Sequence, residues 1–81
     1  MEVMFKVMSK AGAAPWHVAH FATEKEARAH ANQEYKAGCN IIELYGETRI
    51  GYGLICSHRE HWKVAVERIA AEWAESFPGF I

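Results

Sequence analysis

Cys39, Cys56, His58 and His61 are the side chains of this 81-residue chain whose types and spacing best suit metal chemistry. Thiolate and imidazole are the donors of tetrahedral zinc. If the chain turns back symmetrically about Glu47-Thr48, Cys39 lies opposite Cys56 on neighbouring strands. If a helix begins at His58, then His58 and His61, three residues apart, share one of its faces, and the four donors converge. The spacing Cys-x16-Cys-x-His-x2-His matches no zinc module, however. A simpler reading makes the cysteines small core residues and leaves the histidines exposed at a helix start. The same cross-strand geometry admits a disulfide, but a reducing compartment disfavours one. The expectation is two free thiols, no metal and no cofactor.

A second constellation is electrostatic. His58, Arg59, His61 and Lys63 crowd the start of the same segment, while Glu67, Glu72 and Glu75 dominate its end. That order runs against the helix dipole. Free N–H groups, the positive dipole end and several cations can hold an anion, either a phosphate or an acidic protein patch. Arg49 in the preceding hairpin adds to the positive end, so Arg49, Arg59 and Lys63 are candidate partner-binding residues. The competing reading, solvated charges on a helix surface, carries more weight from charge pattern alone.

Acid-base or nucleophilic catalysis finds little support. No Ser/His/Asp or Cys/His order stands out, and His17 and His20 fall on opposite faces of a regular strand. Gly51-Tyr52-Gly53 lacks the third glycine and the following unit of a dinucleotide fingerprint. Tyr45, Tyr52 and Trp16 lie on strand-like segments, but Lys6 and Arg49 are the only basic residues with them, too few for a sheet that stacks nucleobases.

The elements that position these residues follow from periodicity. Val3, Phe5 and Val7 alternate with polar or flexible neighbours, a strand with one face committed to the core. Ser9 to Pro15 reads as a loop and Trp16 to Phe21 as a returning antiparallel strand. Thr23-Glu24-Lys25-Glu26 is a capping box. It opens a helix from about 24 to 36 with a thin stripe of Ala27, Ala31 and Tyr35, stopped by Gly38. Asn40 to Tyr45 and Arg49 to Cys56 form a second hairpin turning at Gly46-Glu47-Thr48. Ser57-His58-Arg59-Glu60 reads as a second capping box for a helix from 58 to about 76, whose stripe is Trp62, Val66, Ile69, Trp73 and Phe77. The result is one α+β domain over residues 1–81: a four-stranded antiparallel sheet with two helices on one face, in the order ββαββα.

Length permits a single domain that buries only about 60% of its unfolded surface. A formal charge of −1 excludes a strongly basic module, and no apolar run approaches the roughly 20 residues of a membrane span. The first residues lack the pattern of a signal peptide, and two cysteines are too few for a secreted disulfide scaffold. The expected location is the cytoplasm.

The pattern Trp16-His17-Val18…Phe21-x-Thr23-x-x-Glu26-Ala27, a hairpin strand feeding a capped helix in a small α+β chain, resembles the small phage and mobile-element inhibitors of the anti-CRISPR type. That resemblance implies an enzymatically inert protein that occupies a surface of a larger host complex. It transfers no functional residues, because such inhibitors share no common motif. Their usual strong acidity is missing here, which disfavours DNA mimicry and favours steric blocking. The alternative is a small nucleic-acid-binding protein using Arg49, Arg59 and Lys63. An apolar end, Phe80 and Ile81 after Pro78-Gly79, is expected to be exposed with other aromatics and to support a homodimer or a complex.

Overall fold

The computed structural model describes residues 4–76, with side chains through residue 72. The chain runs β1 (Phe5–Lys10), β2 (His17–Phe21), α1 (Glu24–Lys36), β3 (Ile41–Thr48), β4 (Gly51–Arg59) and α2 (Trp62–Ser76). The strands form one sheet in the order β2-β1-β3-β4, antiparallel at every pairing. This is the α+β, ββαββα architecture that the periodicities imply. Among the described residues no helix is long and apolar enough to cross a membrane.

Central strands alternate most cleanly. Ile42, Leu44 and Gly46 of β3 point inward and are buried, as are Val7 and Ser9 of β1. Burying a side chain the size of Leu44 contributes about 1.5–3 kcal/mol. These residues meet α1 through the fully buried Ala27, with Cys39 in the same cluster and Phe5, Phe21, Ala31 and Tyr35 around it. Alanine at the contact lets α1 lie close to the strands.

The ends of α1 form as the local sequence dictates. Thr23 is extended (φ −126°, ψ 151°) and its Oγ1 accepts from the Glu26 N–H at 3.2 Å. Glu24 and Glu26 in the first turn and Lys36 in the last complement the dipole. At the other end Gly38 adopts φ +105°. Its N–H donates to the Tyr35 carbonyl at 3.1 Å, and that of Cys39 to the Glu34 carbonyl at 3.0 Å. This is a Schellman termination, which needs glycine at the left-handed position.

The second half departs from the sequence reading in four places, the last being that α2 does not lie with α1 on one face of the sheet. The turn of the second hairpin is Arg49-Ile50, closed by the Thr48↔Gly51 pair with Gly51 at φ +137°, so β3 runs through Gly46-Glu47-Thr48. A bulge follows: Leu44 pairs Cys56 whereas Tyr45 pairs Leu54. The extra residue, Ile55, reverses the alternation, so Cys56 faces α1 while Tyr52 and Leu54 face away. With the turn displaced and one residue bulged, Cys56 pairs with Leu44 and does not oppose Cys39.

Ser57-His58-Arg59 is not a helix cap. These residues continue β4, pairing with Glu43, Ile42 and Ile41, because three ladder pairs outweigh one local side-chain cap. The helix begins at Trp62, capped by His61: its carbonyl accepts from Val64 and Ala65, and its Nδ1 accepts from the Lys63 N–H at 3.1 Å.

Asn40 ties the end of the sheet together and is only 7% exposed. Its N–H donates to the Lys10 carbonyl and its carbonyl accepts from the Glu60 N–H. Its Oδ1 accepts from the Gly12 N–H at 2.8 Å, and its Nδ2 donates to the Glu60 carbonyl at 3.1 Å. One residue thereby links the β1–β2 loop, the α1–β3 connection and the β4–α2 connection.

From that point α2 leaves the sheet. It touches the C-terminal end of α1, where Ile69 covers Gly38, and the β1–β2 loop, where Trp62 covers Gly12. Ala65 is buried, but Trp62 is 43% exposed and Val66 48% exposed, so the stripe does not bury against the strands; Trp73 and Phe77 lie outside the residues with described side chains. The molecule is 53 Å long and its radius of gyration is 14.8 Å, against about 12 Å for a compact chain of this length. Nine strand residues and fifteen helical residues laid end to end span about 50 Å, which accounts for the long axis.

Candidate functional site

Because α1 covers one face of the sheet and α2 extends past its end, the opposite face carries no helix among the described residues. Strand pairing places its residues in rows. One row is His20, Lys6, Tyr45 and Leu54. The next is Val18, Met8, Glu43 and Ser57. The third begins with Lys10, Ile41 and Arg59. Trp16, Val18, Tyr52 and Leu54 are exposed, Leu54 most of them at 55%. Large apolar groups grouped on one side of a small protein mark a contact surface more often than the same groups scattered singly.

Cations are interleaved with these aromatics. The Lys6 ammonium lies 5.0 Å from the Tyr45 ring centre and 4.5 Å from that of Tyr52. Lys10 lies 5.3 Å from the centre of Trp16, and His20 stands 6.3 Å from Tyr52. Such contacts hold the aromatic planes in defined positions. Glu43 receives a hydrogen bond from the Tyr45 hydroxyl and pairs with Arg59 at 3.3 Å. Its carboxylate raises the Tyr45 pKa above the usual phenol value, chiefly through that hydrogen bond.

The covered face holds a second feature. α1 packs over β1, β2 and β3 but leaves β4 bare, and an open groove of about 510 Å³ runs between α1 and β4. Ile42 and Leu44 form its floor, Ala31 and Tyr35 its wall, and Arg28, Asn32, Cys56 and His58 its rim. His58 stands edge-on to Tyr35 with ring centres 5.1 Å apart.

The sequence-derived candidates separate in space. Arg49 lies at the tip of the β3–β4 hairpin and Arg59 at the far end of β4, roughly 25 Å away by strand rise. Arg59 is on the helix-free face, bound to Glu43. Lys63 is exposed in the first turn of α2. His58 faces the groove, and His61 uses its ring nitrogen as a cap, so these five residues do not gather as one anion site. Phe80 and Ile81 lie outside the described residues.

The metal set is likewise dispersed. Cys39 is buried and donates to Glu34 Oε2 at 3.3 Å. Burial first, and the Glu34 hydrogen bond second, push its thiol pKa up to about 11. Cys56 is exposed. Both thiols are free, and among the described residues no three His, Cys, Asp or Glu side chains form a group able to hold a metal ion.

No family model, no curated protein and no solved structure matches the chain.

Lys10, Val18 and Leu54 were not among the sequence candidates. The signal that could have found them is alternation: Val18 lies in register with Met8 and Leu54 with Tyr45, and Lys10 follows Lys6 and Met8 at every second residue of β1, all on the face opposite the buried set. Reading that face required knowing that β1 sits between β2 and β3.

Proposed function

We propose that this chain is a non-enzymatic protein-binding module whose contact surface is the helix-free face of the sheet. The observation that carries the reading is the grouping of Trp16, Val18, Tyr52 and Leu54, all 40% exposed or more, around Lys6 and Lys10. Apolar and aromatic anchors with a thin polar rim are the composition of protein interfaces. The near-neutral charge and the small size suit a role as a steric blocker. An inhibitor of a host defence nuclease or surveillance complex, encoded by a phage and acting in the cytoplasm, is the specific form we favour.

A second reading is favoured by one observation. Lys6 lies against two tyrosines and Lys10 against a tryptophan, and aromatics interleaved with cations are also how sheets hold single-stranded nucleic acid. Two acidic groups, Glu43 and Glu47, lie on or beside the same face and oppose a phosphate backbone, so protein is preferred.

The two readings separate in solution. Fluorescent single-stranded DNA and RNA titrated at rising salt should show at most weak binding, whereas nucleic-acid recognition predicts tight binding that falls steeply with salt. Immobilised wild-type chain should retain a protein from host extract that a Leu54→Glu chain of unchanged melting temperature does not retain. If both chains retain the same proteins, the helix-free face is not the contact surface.

A further inference from the structure

Lys6 and Lys10 stand two rows apart on the helix-free face, four residues along β1, so that their Cα atoms are about 13 Å apart. Aromatic rings hold each ammonium, Tyr45 and Tyr52 for Lys6 and Trp16 for Lys10. A ring packs against a cation without neutralising it. Among the described residues neither lysine pairs with a carboxylate, so both keep their charge for a partner.

The carboxylates of the same face are already engaged. Glu43, in the row between the two lysines, accepts from the Tyr45 hydroxyl with one oxygen and from Arg59 with the other. Glu47, near the hairpin end, accepts from the Met4 N–H at 3.2 Å. Lys6, Lys10 and Arg59 thus face two occupied carboxylates, in a chain whose formal charge is −1. The positive surplus belongs to this face and not to the chain as a whole.

We propose that the helix-free face takes an extended acidic segment of its protein partner, with carboxylates on Lys6 and Lys10 and an apolar side chain between them. The proposal rests on the reading of this face as the contact surface and names the chemistry of what it binds. An extended chain rises about 3.3 Å per residue and turns every second side chain to one side. Its residues i, i+2 and i+4 therefore match the rows of Lys6, Met8 and Lys10. The middle row offers Met8, an adaptable apolar side chain, beside the exposed Val18 that pairs with it. That row also holds Glu43, which disfavours a charge there. A nucleic acid carries a phosphate at every nucleotide and cannot leave the middle position neutral, whereas a peptide can. Ammoniums already held by rings also lose less freedom on binding than mobile ones.

The test is an amide-correlation NMR titration of the full chain with capped peptides. The acidic probe is Thr-Asp-Thr-Leu-Thr-Asp-Thr; the controls carry asparagine or lysine in place of both aspartates. The acidic probe should shift the amides of Lys6, Met8 and Lys10 saturably and bind roughly tenfold more tightly than the asparagine control. Lys6→Gln and Lys10→Gln, each at unchanged melting temperature, should both weaken it, and the K6E/K10E chain should prefer the lysine peptide. If either control shifts the same amides as strongly as the acidic probe, the inference falls while the face stands as a protein contact surface. No saturable shift with the acidic probe also overturns it, and the Leu54→Glu retention comparison then judges the face separately. Oligothymidylate that displaces the acidic probe and binds the same residues more tightly overturns both readings.

Discussion

The Arg68 guanidinium lies over the Tyr35 ring, its Cζ 3.6 Å from the ring centre, and donates to the carbonyl of that same residue. One side chain of α2 therefore packs on the last turn of α1 and caps it, placing positive charge at the negative end of the helix dipole. Its Nη2 reaches the Cys39 carbonyl and the Glu60 carboxylate, while the buried Nε has no partner. This contact, with Ile69 on Gly38 and Trp62 on Gly12, sets the angle at which α2 leaves the body.

Replacing Arg68 with leucine should therefore loosen α2 and fray the end of α1. The lost hydrogen bonds to the two carbonyls cost about 1.5–3 kcal/mol. Lysine should recover little, because it cannot stack and fork as the planar guanidinium does. Thermal melts of the two variants, with amide exchange at residues 35–39, check this. Wild-type protection in R68L would contradict the assignment.

The same contact sets an acid dependence. The hydrogen bond from Arg68 holds the Glu60 carboxyl below the usual carboxylate pKa, with its charge and His58 adding to the effect. The folded pKa is thus lower than the unfolded one. Stability from this group is present above the unfolded value and is lost as pH falls through the folded value. Wild type should lose more stability on acidification through and below the carboxylate range than R68L does. Equal losses in chemical denaturation across that range would contradict the coupling.

Asn40→Ala should cost roughly 1–3 kcal/mol, since it leaves the Gly12 N–H and the Glu60 carbonyl without their partner. The effect should appear first as increased exchange in the β1–β2 loop and at Glu60, remote from each other in sequence. Denaturant melts with residue-resolved exchange check this. A loss confined to the α1–β3 connection would show that Asn40 is not the link between the three segments.

The thiols should differ sharply in reactivity. Cys56 is exposed at the rim of the groove, whereas Cys39 is buried with its pKa pushed up to about 11. The thiolate is the reactive form. Brief alkylation at neutral pH followed by peptide mass spectrometry should label Cys56 and leave Cys39 until the fold opens. Equal labelling would contradict the burial of Cys39.

What could be read from the sequence was local. Thr23 and Gly38 set the ends of α1 through contacts within four residues, and both form as their types dictate. Ser57 carried the same cap signal, but its fate was decided by Glu43, fourteen positions away. The position of Cys56 relative to Cys39 rested on a hairpin turning at Glu47-Thr48; the turn at Arg49-Ile50 shifts that register by four positions and the Ile55 bulge by one more, so Cys56 pairs with Leu44. Lys6, Tyr45 and Tyr52 were visible as residue types. Their convergence depends on β1 lying between β2 and β3, a strand order that alternation alone does not encode. The apolar row of α2 was legible as a row, while the direction of the helix depends on Asn40 and Arg68.

The most direct test of the central claim is photo-crosslinking in the cells where the protein acts. A photoreactive residue is installed in turn at Val18 and Leu54 on the helix-free face, and at Gln33 on the exposed side of α1. We expect the same protein adduct from positions 18 and 54, with none from position 33. Adducts only to nucleic acid, or no adduct from positions 18 and 54, would contradict a protein-binding role for this face.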